Sequence, residues 1–466
     1  MKRIALIQAD KTSKTNVYAG ARPIMPPLAP LMIAAMTPPE YQVEVWDENA
    51  KGPYPLSDQR PDLIGVSGLT PAAYRMNALA DEARALGSVS VAGGMHVTAL
   101  HHDGESAEVL SHFDSIVVGA CTPQLWQRVL ADAFNGGVDS VYQSGELPPT
   151  LDHPTPRFDL VEAKHYILPA SLQTSQGCPY DCEFCSIHIV CGRKMRFRPE
   201  GLLRRDLEAL PRGTVTLIDD AFGANRERSE AAAAVLREYG RRWVCEATAK
   251  DLTRKLDTPE DLLPRLKKMG CFGMFVGFEG LSQRYSKSLP LRLYERLVQR
   301  MHGLGMKVMG AFVFGADEEE DRSVFERTVD FVKRLRLDFV QYSLAIPLPG
   351  TRLRARLKQE GRIIDENYEH YDGSMPLIRH PRLTPEQLLE GLTNAYRWTY
   401  STSSTLRRLF TRAPNWGNLA SLRHLPLLIG LNRHFQKVAE GWSKVVTADY
   451  WRRTKRPAEG QETSAD

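Results

Sequence analysis

Two long series of strand-length, β-branched runs, separated by helix-length segments, constrain this chain more than any other feature. Such alternation buries both faces of a parallel sheet under helices and predicts an α/β fold. In the first series the runs are 3–8, 42–46, 62–67, 88–92 and 114–118, with helix-length segments such as 71–86 and 122–135 between them. They predict a five-stranded doubly wound domain, Rossmann-like or flavodoxin-like, over residues 1–137. Its ligand-facing loops are expected near 9–30, 67–70, 93–98 and 119–122, outside the carboxyl ends of the strands. Residues 138–168, rich in Pro, Asp and His, read as a linker. The second series has runs at 171–175, 214–219, 243–248, 272–278, 307–314 and 338–345. Six strand–helix repeats suggest a partial (β/α)6 barrel over 169–362, with its active site at the carboxyl ends of the strands. From about Ile364 the pattern turns to helices, opened by a capping box at Thr384-Pro385-Glu386-Gln387. Residues 363–466 are therefore expected to form a helical C-terminal domain, with a disordered tail from Lys455.

Composition narrows the functional classes. Sixty Lys and Arg against 56 Asp and Glu leave a net charge of +4 over 466 residues, without the basic excess of a dedicated nucleic-acid binder. A small-molecule enzyme is the better starting point. Met1-Lys2-Arg3 is followed by four apolar residues, too few for a signal-peptide core. The longest apolar run, 425–431, is too short to span a bilayer. These features predict a cytoplasmic protein without a transmembrane segment. Residues 401–466 carry 11 Lys and Arg against 5 Asp and Glu, which reads as a solvated helical face and leaves contact with a membrane surface open.

Three of the seven cysteines fall within eight residues, Cys178, Cys182 and Cys185, spaced C-x3-C-x2-C after the first strand of the second series. No second Cys pair or paired His follows to complete a zinc site. Three thiolates suit a four-iron cluster that leaves one iron free for a chemical partner, whereas electron-transfer clusters normally take four. Cys191 and His188 are alternative fourth ligands, although packing or hydrogen bonding in the loop accounts for them better. Asp219, Asp220 and Glu246 stand at or near strand carboxyl ends, where a buried carboxylate needs a ligand or an ion-pair partner.

Gly177-Cys178-Pro179-Tyr180-Asp181-Cys182-Glu183-Phe184-Cys185 resembles the cluster motif of radical S-adenosylmethionine (SAM) enzymes, and the chain is most similar to the subgroup with an N-terminal cobalamin-binding-like domain. The resemblance implies a 4Fe–4S cluster whose open iron chelates SAM. One electron from an external reductase, flavodoxin or ferredoxin then cleaves SAM to methionine and a 5′-deoxyadenosyl radical. It also implies that Phe184 packs near the adenine. The segment 217–222, with Asp219 and Asp220, resembles an acidic strand end facing SAM or substrate. The segment 275–280, with Gly277 and Glu279, resembles a SAM-contacting strand, and 310–315, with Gly310 and Phe312, a segment lying against the adenine. Pro347-Leu348-Pro349-Gly350-Thr351 resembles the turn after the sixth barrel strand. Glu246 and Lys250 are further candidates for SAM contact, Lys250 reading better as a surface lysine.

Residues 1–137 resemble the cobalamin-binding-like domain at 26–28, 45–49, 65–70 and 93–96, making Ser67, Thr70, Gly94 and His96 cofactor candidates. The D-x-H-x-x-G motif that supplies a cobalt-ligating histidine is absent, so His96 is expected to hydrogen-bond backbone or corrin amides. Val117-Val118-Gly119-Ala120-Cys121-Thr122 lacks the acidic residues usual in the subgroup, which leaves cobalamin binding open. With cobalamin, the resemblance implies methylation at an unactivated carbon of a small natural-product or lipid substrate. Without it, the same radical can drive dehydration of a diol or aminosugar, assisted by Asp219, Asp220 or Tyr342. A non-catalytic cluster sensor is a third reading, disfavoured because the glycine and carboxylate segments are all present. Tyr368, Tyr371, Tyr396, Trp398 and Tyr400 suit either a lid over the barrel mouth or ordinary core.

Overall fold

The computed structural model describes residues 1–11, 23–282 and 287–404. The first sheet contains β1 (Arg3–Gln8), β2 (Gln42–Asp47), β3 (Leu63–Ser67), β4 (Val89–Gly93), β5 (Ser115–Val118) and β6 (Val141–Gln143). All neighbours are parallel and the order is β2-β1-β3-β4-β5-β6, so the chain reverses direction of travel between β1 and β3. A doubly wound sheet opens its ligand crevice at that reversal. Near-continuous apolar runs such as Ile4-Ala5-Leu6-Ile7 have helices on both faces and are fully buried. The sixth strand corrects the five-strand expectation and falls where a linker was read. It is only three residues long, too short to show a period. Tyr142 fixes it, buried with its hydroxyl donating to Asp132 Oδ2 at 2.6 Å.

The second sheet begins with β7 (Ala170–Leu172). A two-stranded antiparallel hairpin, β8 (Ser175–Gln176) with β9 (Arg196–Phe197), interrupts it and brackets the cysteine loop. The sheet continues through β10 (Val215–Phe222), β11 (Trp243–Thr248), β12 (Cys271–Glu279), β13 (Lys307–Phe314) and β14 (Phe339–Leu344). Every strand pairs in parallel with the next, β7-β10-β11-β12-β13-β14, as in an open βα barrel. The alternation of side chains gives each strand a helix-facing row and a row facing the barrel interior.

The C-terminal segment departs from the helices-only expectation. Residues 364–384 are mostly irregular, with an isolated bridge between Ile363 and Ile378 and one short 3-10 turn, Tyr368–His370. The capping box is present: Thr384 accepts from Gln387 N, and the Gln387 side chain accepts from Thr384 N. The helix it starts, Pro385–Thr399, does not lie across the barrel mouth. It lies along β14, where the Tyr396 hydroxyl bonds Tyr342 N and O, and the Tyr400 hydroxyl bonds Val340 N and O. Two tyrosines thus supply donors and acceptors to an edge strand, which meets the edge's unpaired backbone without a seventh strand. The basic skew and the tail expected beyond 404 lie outside the described residues, as does half of the first expected ligand-facing loop, 12–22 of 9–30. Among the described residues no helix is long and apolar enough to cross a membrane.

Candidate active site between the barrel and the first sheet

The cysteine loop starts at Gly177, whose φ is +94°, and a Cβ there would come within 2.7 Å of Lys194 O. Only glycine lets the two ends of the loop approach this closely. Gly177 N donates to Asp220 Oδ2 at 2.7 Å. Asp219, one residue before, points the other way. It accepts from Thr174 N at 2.7 Å, from Thr174 Oγ1, and from Ser175 Oγ at 2.8 Å, and is 1% exposed. Burial pushes its carboxyl up to about 6 despite those bonds. Asp219 ties the end of β7 to β10, and the structure does not bring it to an open space where a substrate could meet it.

Cys178 and Cys182 are buried and Cys185 is half-buried. Burial raises the Cys178 thiol and pushes Cys185 up to about 11, with the neighbouring cysteines adding to both shifts. Among the described residues no three metal-ligating side chains converge on a single-ion position. In a cluster each thiolate would ligate its own iron. The loop is clamped from outside: the Tyr180 hydroxyl donates to Asp251 Oδ1 at 2.6 Å, Leu353 N to Glu183 O at 3.1 Å, and Arg356 Nε to Glu183 Oε1 at 2.8 Å. The Pro347–Thr351 turn docks on it as well. Gly350 N donates to Asp103 Oδ2 at 2.7 Å, and a Cβ on Gly350 would strike Ile189 Cδ1 at 2.7 Å. His188 faces the charges of Asp181, Arg193 and Arg352 on this outer side. Phe184 lines a cavity of about 360 Å³ with Cys182, Ala316 and Leu353, at the end of β13.

Register divides the barrel candidates between two faces. Gly277 pairs with Ala311, and the strand shifts register before Glu279. Glu279 adopts φ +60°, a left-handed conformation that costs a non-glycine residue and often marks a functional turn. A Cβ on Gly277 would lie 2.7 Å from Glu279 Oε1, so the glycine makes room for that carboxylate on the interior face. Burial raises the Glu279 carboxyl. Glu246, on the neighbouring strand, is pushed up to about 7 by desolvation, Lys287 opposing the rise and Asp220 and Glu279 adding to it. Lys287 is the counter-charge that sequence reasoning missed. Burial lowers its proton affinity, but the field of Cys182, Cys178, Glu279 and Cys185 prevails and raises it. Its Nζ lies 5.1 Å from the centre of the Tyr180 ring. Lys250, the lysine singled out from the sequence, is exposed, with its Nζ 5.4 Å from the centre of the same ring.

Gly310, Phe312 and Tyr342 lie on the helix-facing row. A Cβ on Gly310 would come within 2.6 Å of Leu337 Cδ1 and 3.2 Å of Phe278 Cε2, so this glycine is required by packing against protein. Phe312 stacks on Phe278 at 5.2 Å, and Tyr342 on Phe314 at 5.6 Å. The Tyr342 hydroxyl is 2.8 Å from Thr399 Oγ1 of the C-terminal helix. Neither aromatic side chain reaches the interior carboxylates.

A cavity of about 440 Å³ opens between the carboxyl edge of the first sheet and the base of the cysteine loop. On one side it is lined by Ser67, Gly93, Gly94 and Gly119, on the other by Gln176, Cys191, Arg196 and Asp220. Gly94 and Gly119 have φ of +92° and +75°, and nothing lies within 4 Å of a Cβ placed on Gly119. Cys191 is a buried thiol pushed up to about 12 by desolvation. Thr70 and His96 do not line this cavity. His96 is buried edge-on against Tyr368, ring centres 5.1 Å apart, and burial brings its imidazole down to about 4. The expected contact of His96 with a corrin is thus replaced by a contact with the C-terminal segment, which folds back to the first domain.

The model of the Radical SAM superfamily matches residues 172–332. The chain is 27% identical over 430 residues to bacteriochlorophyllide d C-12(1)-methyltransferase of Chlorobaculum tepidum, covering 89% of this chain and 91% of the relative. It is 28% identical over 365 residues to hopanoid C-2 methylase of Rhodopseudomonas palustris, covering 74% of this chain and 67% of the relative. The solved structure of TsrM, a radical S-adenosylmethionine methyltransferase from Kitasatospora setae with cobalamin and a 4Fe–4S cluster bound, aligns with a TM-score of 0.60. That alignment is 14% identical and covers 96% of this chain and all of the other. Both of these relatives are methyl-transferring enzymes, which does not favour the dehydration alternative.

Proposed function

We propose that this chain, a radical SAM enzyme whose cluster-bearing barrel follows a cobalamin-binding-like domain, transfers a methyl group from cobalamin to an unactivated carbon of a small natural-product or lipid substrate. The observation that carries the reading is the 440 Å³ cavity between the two sheets. Its far wall is a strand edge kept bare by glycine, and its near wall includes Asp220, which holds the first residue of the cysteine loop. A flat group laid on the first sheet would therefore face the cluster across the cavity. The fit to a corrin rests on this geometry: the glycines leave backbone amides and open space, as a bulky ring edged with amides requires.

When bound, the cluster and SAM supply a 5′-deoxyadenosyl radical that removes hydrogen from the substrate, and cobalamin supplies the methyl group. The chain's own contribution is placement. Cys178, Cys182 and Cys185 hold the cluster in a loop anchored by Asp220, Tyr180 and Glu183. Lys287 offers a positive charge beside the thiols for the SAM carboxylate, and Glu279, lodged over Gly277, offers an acceptor for its amino group. Glu246 sits deeper in the same interior row, while Ser67 and Gly94 meet the corrin side. The reducing electron comes from an external donor, a flavodoxin- or ferredoxin-like protein in this proposal.

The test is anaerobic reconstitution of the full chain with iron, sulfide and hydroxocobalamin, followed by desalting and turnover with SAM and a reductant. About one cobalt per chain beside about four irons is expected, with both 5′-deoxyadenosine and S-adenosylhomocysteine formed. Four irons without cobalt would overturn the methyl-transfer reading.

A further inference from the structure

Two arginines two residues apart are treated in opposite ways by the fold. Arg198 is buried and its Nε and Nη2 each donate to a different oxygen of Asp206 at 2.8 Å, while Nη1 donates to Leu151 O at 2.9 Å and to His153 O at 2.5 Å. Arg196 is also buried, 7% exposed, but it has no such carboxylate. Its Nη2 donates to Gln176 Oε1, its Nε has no partner, and among the described residues it forms no ion pair. Asp220, one of the acids that influence it, already accepts from Gly177 N.

Keeping a guanidinium out of water without an anion is costly, and a neutral amide offsets only part of that cost. Folded chains retain such groups where a ligand completes them. Arg196 lines the cavity between the sheets, so a ligand can reach its neighbourhood. His153 lines the same wall. Its Nδ1 lies between Pro154 O at 2.9 Å and Arg198 Nη1 at 3.2 Å, and its Nε2 is buried without a partner. Around them the wall is largely apolar, with Pro148, Leu151, Val190 and Ile218.

We infer that Arg196, with Gln176 and His153 beside it, forms an oxyanion-recognition site within the cavity. It takes a carboxylate of the substrate or the phosphodiester of cobalamin, and His153 Nε2 forms a hydrogen bond to a polar group of the same ligand. The site's existence stands on the unpaired guanidinium. Only the choice between the two sources rests on the methyltransferase proposal.

The test uses the full chain, as wild type, R196Q and R198Q. Thermal unfolding is measured in potassium chloride, phosphate and acetate at matched ionic strength. Phosphate and acetate are expected to raise the wild-type midpoint above its value in chloride by a few degrees more than they raise that of R196Q, whose shift is the general stabilisation by excluded salts. In chloride R196Q should unfold no lower than wild type, whereas R198Q, which strands Asp206, should unfold well below it. An R196Q that melts as low as R198Q, or oxyanion shifts equal in wild type and R196Q, would overturn the inference. Equilibrium retention of hydroxocobalamin and of dicyanocobinamide, which lacks the phosphodiester, then identifies the source. Loss of an about tenfold preference for the former in R196Q points to cobalamin. Unchanged retention of both corrinoids points to a substrate carboxylate. Absence of cobalt from every variant would refute methyl transfer and leave the thermal result standing.

Discussion

The two six-stranded parallel sheets turn toward one cavity and equip their carboxyl edges in opposite ways. The first offers backbone and space: Gly93, Gly94 and Gly119 stand where side chains would otherwise fill the crevice. The barrel offers charge: Lys287 and Glu279 shift each other's proton affinity, and both, with Asp220, act on Glu246. A site of the first kind recognises shape and amides, and a site of the second kind orients a charged cofactor and excludes water. The two halves should therefore be separable by mutation.

The largest effect belongs to the barrel half. Replacing Cys178, Cys182 or Cys185 with Ala should bring 5′-deoxyadenosine formation to background and remove the cluster's iron, while cobalt retention stays near wild type. Iron and cobalt counted in the same desalted sample check this. Cobalt lost along with iron would show that the halves do not bind independently.

Gly93→Leu is the converse. Gly93 does not occupy left-handed space, and its Cβ would make ordinary contacts, 3.7 Å from Val117 O and 3.8 Å from Val117 Cβ. The leucine can enter the cavity without backbone strain. Cobalt retention should fall at least about tenfold, the cost of a displaced contact surface, with iron content and 5′-deoxyadenosine unchanged. Wild-type cobalt retention in this variant would remove the first sheet from corrin binding.

Much of this division was legible in the sequence. Two series of βα repeats gave both sheets, and the cysteine spacing located the loop. What escaped has physical causes. β6 is three residues long and held by Tyr142, too little for a periodic signal. Lys287 gains its role by folding back among the thiols, a long-range event with no local signature. Asp219 and Asp220 read as a matched acidic pair, but neighbouring residues on a strand face opposite sides, and only Asp220 meets the cavity. The same parity separates Gly277 from Gly310. Once Gly277 is placed inside, its pairing with Ala311 sends Gly310 and Phe312 to the helices.

That parity predicts different costs for one methyl group. Gly310→Ala drives a Cβ to 2.6 Å from Leu337 Cδ1 in a packed layer, and overpacking of this kind costs about 1–3 kcal/mol. Its thermal midpoint should fall while SAM affinity holds. Gly277→Ala instead meets the mobile end of the Glu279 side chain at 2.7 Å. It should weaken SAM binding at little cost in stability. The reverse pattern would mean that the interior face has been assigned to the wrong row.

The smallest effect is expected at Tyr342. Tyr342→Phe removes the bond between its hydroxyl and Thr399 Oγ1, both groups being buried behind the sheet. Losing one neutral hydrogen bond costs about 1 kcal/mol, read as a small fall in the thermal midpoint. The rate of 5′-deoxyadenosine formation and the product ratio should not change, because the ring stands among Phe312, Phe314 and Tyr396, away from the interior row. A general acid or base removed from a dehydration step would instead slow turnover by about 10²–10⁴ with stability intact. Finding that pattern would return Tyr342 to the chemistry and make the helix-facing layer, not the cavity, the place to look for substrate.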